Sequence, residues 1–220
     1  MNKFIFIVIA MFLFNDISAQ ETIYPAAPQT GTFYITHGTI HVGNGNVIKD
    51  GTIKVTNGKI ESVGNAAPAV GARVVDASGK HIYPGIISPI TNLGLKETGA
   101  GVRGSNDYDE IGVINPSIRA IVAYNTDSKI INVLRSNGIL LANVVPQDEG
   151  SVSNNLITGT SSVVQLDAWN WEDAAYKMDA NMHFNMPSLL TRTDRFVSIG
   201  GSASQADPVK AALAKVEKVK

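Results

Sequence analysis

His81-Ile82-Tyr83-Pro84-Gly85-Ile86-Ile87-Ser88-Pro89-Ile90-Thr91-Asn92 divides this chain into two regions with different hydrophobic periods. Before it, short apolar and polar residues alternate and are punctuated by turn signals. Thr52 to Thr56 alternates, Asn57-Gly58 carries the dipeptide of a type I′ turn, and Lys59 to Val63 returns, so a hairpin is predicted. Ile53, Val55, Ile60 and Val63 are expected on its core side. Phe33 to Ile35, Thr39 to Val42 and Arg73 to Ala77 supply further strand signals, which together make a small antiparallel β module. Within the stretch itself, Ile82 to Ile87 has the unbroken apolar character of a buried strand.

After Asn92 the period lengthens. A polar, glycine-rich stretch runs to Gly112, and Ser128 to Asn137 then follows a helical pattern. Its positions Ile130, Ile131 and Leu134 share a face, Asp127 or Thr126 caps it, and Gly138 ends it. Ile139 to Val145 reads as the next buried strand, and Ser162 to Leu166 as another. A helix start follows at Trp171 to Ala175, then a strand over Asn181 to Met186. Strand, helix, strand order of this kind predicts parallel β/α units. Asp207 to Lys220 forms an amphipathic helix with Val209, Leu213 and Val216 on one side.

Composition narrows the function classes. The 220 residues are 44% hydrophobic and 17% charged, which suits a globular chain with a real core. A net charge of -1, with no basic cluster interleaved with aromatics, argues against nucleic acid as a partner. Met1-Asn2-Lys3, the apolar run Phe4 to Phe14 and the small residue Ala19 have the form of a signal peptide over residues 1–19. The apolar run is shorter than the roughly 20 residues that span a bilayer. An exported protein, periplasmic or extracellular and with no membrane attachment after cleavage, is therefore expected. Without cysteine there are no disulfides, thiol nucleophiles or zinc–thiolate sites.

Three stretches carry a resemblance to metal-dependent amidohydrolases of the imidazolonepropionase-like type. Val75 to Gly85 resembles the junction between that family's small β-sandwich and its barrel. Asn137 to Pro146 is similar to the second barrel strand, and Asn155 to Asp167 to a loop-and-strand segment of exported members. The resemblance covers roughly Thr32 to Asp173. It implies a mixed β and α/β fold: a β-sandwich segment over 20–81, then the first strands and helices of an incomplete (β/α)8 barrel over 82–220. A complete barrel takes about 250 residues, so the chain is expected to represent an N-terminal portion or a shortened descendant. A downstream segment or subunit completing the barrel is the implied partner.

The family reaction is hydrolysis of non-peptide C–N bonds, with zinc or another divalent metal activating water. Its first strand ends in Asp-x-His-x-His. The corresponding positions here are Ser88, Ile90 and Asn92. Ile90 has no lone pair, and Asn92 offers an amide oxygen where a borderline metal takes imidazole nitrogen. No metal or cofactor is expected in this chain, and an inactive or purely binding protein is the alternative to a hydrolase. Asn92, Gly159, Thr160, Ser161, Asp167 and His183 are the candidate pocket residues, and the catalytic residues are left open.

Other patterns have simpler readings. His183, near the end of a predicted strand, is the best single ligand candidate, with a packed or surface histidine as the alternative. His37 and His41 are four apart on extended chain, too far for one metal. Gly99 to Gly104 matches a dinucleotide glycine pattern without the flanking strand and helix that pattern requires. Asp107, Asp109 and Glu110 lack the remaining ligands of a cation loop. Gly159 to Ser162 can present N–H groups to an anion or simply turn before a strand, and Ser161 has no evident base. Trp169, Trp171 and Tyr176 suit a pocket wall or core packing.

Overall fold

A computed structural model describes residues 25–97, 107–147, 155–187 and 208–217. The signal-like residues 1–19 and the glycine pattern at 99–104 lie outside them. The described chain is mostly β, in two mixed sheets with few helices.

The first sheet is built around strand β1 (Thr32–His41), with β2 (Val47–Thr56), β3 (Lys59–Gly64), β4 (Arg73–Asp76) and β5 (His81–Ile82). The two strand signals at 33–35 and 39–42 are one strand. A register shift falls between them, where His37 takes φ 59°. The β2–β3 hairpin forms as expected: Asn57 and Gly58 both have positive φ, which a type I′ turn requires. Ile53 and Val55 pack with Ile40 in a small core flanked by Phe33, Ile35, Ile48 and Ile82. Ile60 and Val63, expected beside them, are exposed. This module is not wholly antiparallel, because β4 and β5 both run parallel to β1.

The second sheet has the order β6 (Ile86–Thr91), β7 (Ile139–Val144), β8 (Ile157–Gln165), β9 (Ala175–Phe184). The expected buried strand over 82–87 is divided at Pro84-Gly85 between the two sheets. Ile86 and Ile87 are 56% and 58% exposed, so β6 is not buried on both faces. Helix α1 (Lys129–Ser136) connects β6 to β7, which run parallel and form the one β/α unit of this sheet. Ser128, rather than Asp127 or Thr126, stands at its N-terminus, and Gly138 at φ 84° ends it.

The parallel plan stops there. β8 runs antiparallel to both β7 and β9. Helix α2 (Trp171–Ala174) is a single turn, capped by Asn170 accepting from the Asp173 N–H, and the chain then reverses directly into β9. Tyr176, Met178, Ala180, Met182 and Phe184 alternate with polar residues, a period of two that favours a strand over a longer helix. Helix α3 (Pro208–Val216) buries Ala212 and leaves Val209 and Leu213 exposed.

The larger core lies on one side of this sheet. Ala142, Val144, Val164 and Leu166 meet Ile131 of α1, Ala174 of α2, and Leu93, Leu95, Ile121 and Tyr124 from the intervening segments. Full burial of each aliphatic side chain contributes about 1.5–3 kcal/mol. Residues 113–119 extend the sheet beside the first half of β8, where β7 does not reach. The Leu156 N–H donates to the Val113 carbonyl at 2.7 Å, and the Thr160 N–H to the Ile118 carbonyl at 2.8 Å.

Candidate functional site

Strand direction decides which side chains can meet. Since β8 is antiparallel to both neighbours, β9 runs the same way as β6 and β7. The C-terminal ends of all three therefore share one end of the sheet, with Asn92 after β6 and His183 near the end of β9. They belong to opposite edge strands, however. Three inter-strand spacings put them about 14 Å apart, too far to bind one small ion.

Asn92 is half-buried, and its backbone is committed to a turn: its carbonyl accepts the Leu95 and Lys96 N–H groups, both at 3.0 Å. The Thr91 hydroxyl accepts the Leu93 N–H at 3.1 Å. Ile90 is 64% exposed. Ser88, Ile90 and Asn92 do not offer the carboxylate and two imidazoles that the resembled zinc site needs, so that metal does not fit here. Among the described residues, no group of three or more histidine, aspartate or glutamate side chains is arranged to hold a metal ion.

Gly159, Thr160 and Ser161 lie together on β8 but face structural neighbours. Gly159, at φ 119°, passes so close to the Ile118 carbonyl that a Cβ would sit 2.5 Å from its oxygen. Thr160 donates its hydroxyl to the Asp179 carboxylate (3.0 Å) and lies 3.2 Å from the Ile118 carbonyl. Ser161 is fully buried, and its hydroxyl donates to the Asn181 carbonyl at 3.4 Å. The backbone N–H of Thr160 is spent on Ile118, so it is not free to hold an anion.

His183 pairs with Gly159 across the β8–β9 ladder. Its Nε2 is buried without a hydrogen-bond partner, and burial holds the imidazole below the usual histidine range. A neutral ring is therefore favoured at neutral pH. Asn143 Oδ1, Asn155 Oδ1 and the Thr158 hydroxyl are likewise buried without a partner, and Asn143 pairs with Val163, four residues along β8 from Gly159.

Asp167 is at the opposite end of the sheet. It forms an ion pair with Arg135 at 2.9 Å and accepts the Ala26 N–H at 3.1 Å. Both side chains help line an open cavity of about 470 Å³, whose apolar walls include Ile86, Ile87, Leu140 and Leu141. The candidate pocket residues thus do not converge: Asp167 belongs to this cavity, whereas Asn92 and His183 lie at the far end on separate edges.

Three groupings have no signal in local sequence. Arg119 makes a forked ion pair with Asp179, with N–O distances down to 2.6 Å, across 60 residues. Arg119, donating its hydrogen bonds, and Thr160 hold the Asp179 carboxyl below the usual range. Asn155 donates to the Asp109 carboxylate (2.9 Å) and the Glu110 carbonyl (2.8 Å), which anchors the acidic loop. His41 and His81 meet ring to ring on the first sheet. Each joins residues far apart in sequence that only the fold brings together. Of the aromatic candidates, Trp171 packs against the larger core, while Trp169 and Tyr176 are exposed.

Comparisons with known proteins bear on the architecture. No family model matches the chain, and no curated protein matches it. Among solved structures, an amidohydrolase from Thermotoga maritima MSB8 is similar over 69% of this chain, at 24% identity and a TM-score of 0.62. A D-hydantoinase aligns with 36% of the chain and 16% of its own length, at 31% identity and a TM-score of 0.28. A putative prolidase from Bifidobacterium longum aligns with 59% of the chain and 35% of its own, at 20% identity and a TM-score of 0.31. These two add no fold argument. The chain spans 38% of the Thermotoga protein's length. Over the matched residues, it has the fold of part of an amidohydrolase.

Proposed function

We propose that the chain is an amidohydrolase-related exported protein, periplasmic or extracellular. It represents the opening β-sandwich segment and first barrel strands, and does not hydrolyse C–N bonds by itself. The carrying observation is an amidohydrolase-like fold whose Asp-x-His-x-His positions hold Ser88, Ile90 and Asn92. Without imidazoles there, no metal-activated water is available at the position the family uses.

The partner in this reading is a downstream segment or a separate subunit that completes the barrel. Ile86, Ile87 and Ile90 on β6, and Tyr176, Met178, Met182 and Phe184 on β9, present apolar surface on the two edge strands. Apolar side chains exposed on open strand edges favour association. Among the described residues no helix is long and apolar enough to cross a membrane.

The test is turnover. The purified chain, supplied with zinc, is assayed against amide-type substrates, alone and mixed with any segment encoded downstream. No hydrolysis by the chain alone is expected. Zinc-dependent turnover by the chain alone would refute the proposal. A binding or partner protein without chemistry remains the second reading, favoured by the same replaced ligands. It predicts no turnover in the mixture either.

A further inference from the structure

We propose that His41 and His81 form a surface two-histidine site for a divalent transition metal, Cu(II) in particular. The site lies on the first sheet, apart from the barrel strands. Parallel pairing of β1 with β5 sets Thr39 opposite His81 and Ile40 opposite Ile82. His41 is therefore the same-face diagonal neighbour of His81. Its Nε2 lies 2.9 Å from Nδ1 of His81.

That distance puts both nitrogens within reach of one ion. Metal–imidazole bonds of about 2.0–2.1 Å at a right angle separate two nitrogens by about 2.9 Å, whereas tetrahedral angles require about 3.3–3.4 Å. Turning of the rings reaches either separation, so the preference for Cu(II) rests on its binding nitrogen donors most tightly among the divalent first-row metals. In the metal-free pair one nitrogen donates a proton to the other. Binding removes that N–H from the shared contact, and each ring turns to aim its lone pair at the ion.

The site is partly preorganised. The Tyr83 ring stacks on His41 with centroids 4.2 Å apart and planes 10° from parallel. His41 is half-buried and His81 exposed, which leaves the remaining coordination positions open to water. His37, four residues earlier on β1, is directed to Asp76, its Nδ1 3.3 Å from the carboxylate, and serves as an internal control.

Cu(II) is titrated into the purified chain in a non-coordinating buffer and followed by electron paramagnetic resonance. One site with two-nitrogen hyperfine structure is expected. His41→Ala and His81→Ala should each weaken it by at least about tenfold, the least that losing even an outer partner of a metal ligand costs. His37→Ala should leave it unchanged. Equal affinity in all three variants, or loss in His37→Ala, would overturn the site. If an alanine variant misfolds, paramagnetic line broadening on the parent chain decides. At substoichiometric Cu(II), broadening centred on residues 39–43 and 80–84 supports the site, and broadening centred elsewhere refutes it.

Discussion

Replacing Gly159 with alanine tests the second sheet where its two halves meet. The residue sits at φ 119°, and an added Cβ would lie 2.5 Å from the Ile118 oxygen and 2.8 Å from the Ile118 Cβ. Backbone cannot yield as a flexible side chain does, so residues 113–119 must move away from β8. That movement sacrifices the Thr160 N–H bond to Ile118, at 2.8 Å, and the longer hydroxyl contact to the same oxygen. Each hydrogen bond is worth about 1 kcal/mol net, and the unfavourable φ adds about 1–2 kcal/mol. The expected cost is about 3–4 kcal/mol. Gly45→Ala is the matched control, because Gly45 also has positive φ (92°) but nothing within 4 Å of the added Cβ. The excess of about 2 kcal/mol should lower the melting temperature of Gly159→Ala about 4–8 °C below that of Gly45→Ala. Urea and thermal melts by circular dichroism measure it, and amide exchange at Thr160 should accelerate. Equal stability of the two variants would refute the close approach.

Three further outcomes follow from named contacts. Ile121 is fully buried, so Ile121→Ala should cost about 2–5 kcal/mol in urea unfolding, while Val122→Ala, at an exposed position, should stay within about 0.5 kcal/mol. Asn57→Ala places alanine at positive φ and removes the acceptor of the Gly31 N–H at 2.9 Å; about 2 kcal/mol should be lost, and Asn57→Gly should recover the strain part alone. For His183, burial lowers the folded pKa, so the native state disfavours the proton that the unfolded state accepts. The stability due to neutral His183 is full above the ordinary histidine value and declines as pH falls through it toward the lower folded value. Urea midpoints between pH 8 and pH 5 should therefore fall more steeply for the parent than for His183→Gln, and equal slopes would count against the burial argument.

What could be read in advance was local. Asn57-Gly58 announces its hairpin because φ > 0 at two successive residues restricts the choice of residue so strongly. Ile130, Ile131 and Leu134 mark α1 because a helix registers its buried face every three or four positions. Strand pairing is another matter. Nothing around Arg73 to Asp76 shows that it lies parallel to β1, and nothing in Ile157 to Gln165 shows that this strand runs against β7. The period of two in β9 was legible, but the helix start at Trp171 obscured it. The apolar run at β6 signals capacity for burial, not whether a partner covers it, and Ile86 and Ile87 stay exposed. The candidate site is the least legible part: Asn92, Asp167 and His183 each follow or end a strand signal, yet the antiparallel run of β8 puts Asp167 at the other end of the sheet. The His41–His81 contact spans 40 residues and exists only because β5 pairs with β1.

Strand β1 touches β2 on one edge and both β4 and β5 on the other. As the chain is made, β1 emerges before any of its partners and can form a hairpin with β2 at once, through local closure. Its second edge stays open until residues 73–82 have followed. Loop closure over that separation slows the pairing relative to the hairpin. During that interval an apolar strand with free N–H and carbonyl groups is exposed to neighbouring chains. The first sheet is therefore most vulnerable to intermolecular pairing between completion of β2 at Thr56 and arrival of β4 and β5 at residues 73–82. A chain interrupted between β3 and β4 would keep its hairpin and remain in that sticky state.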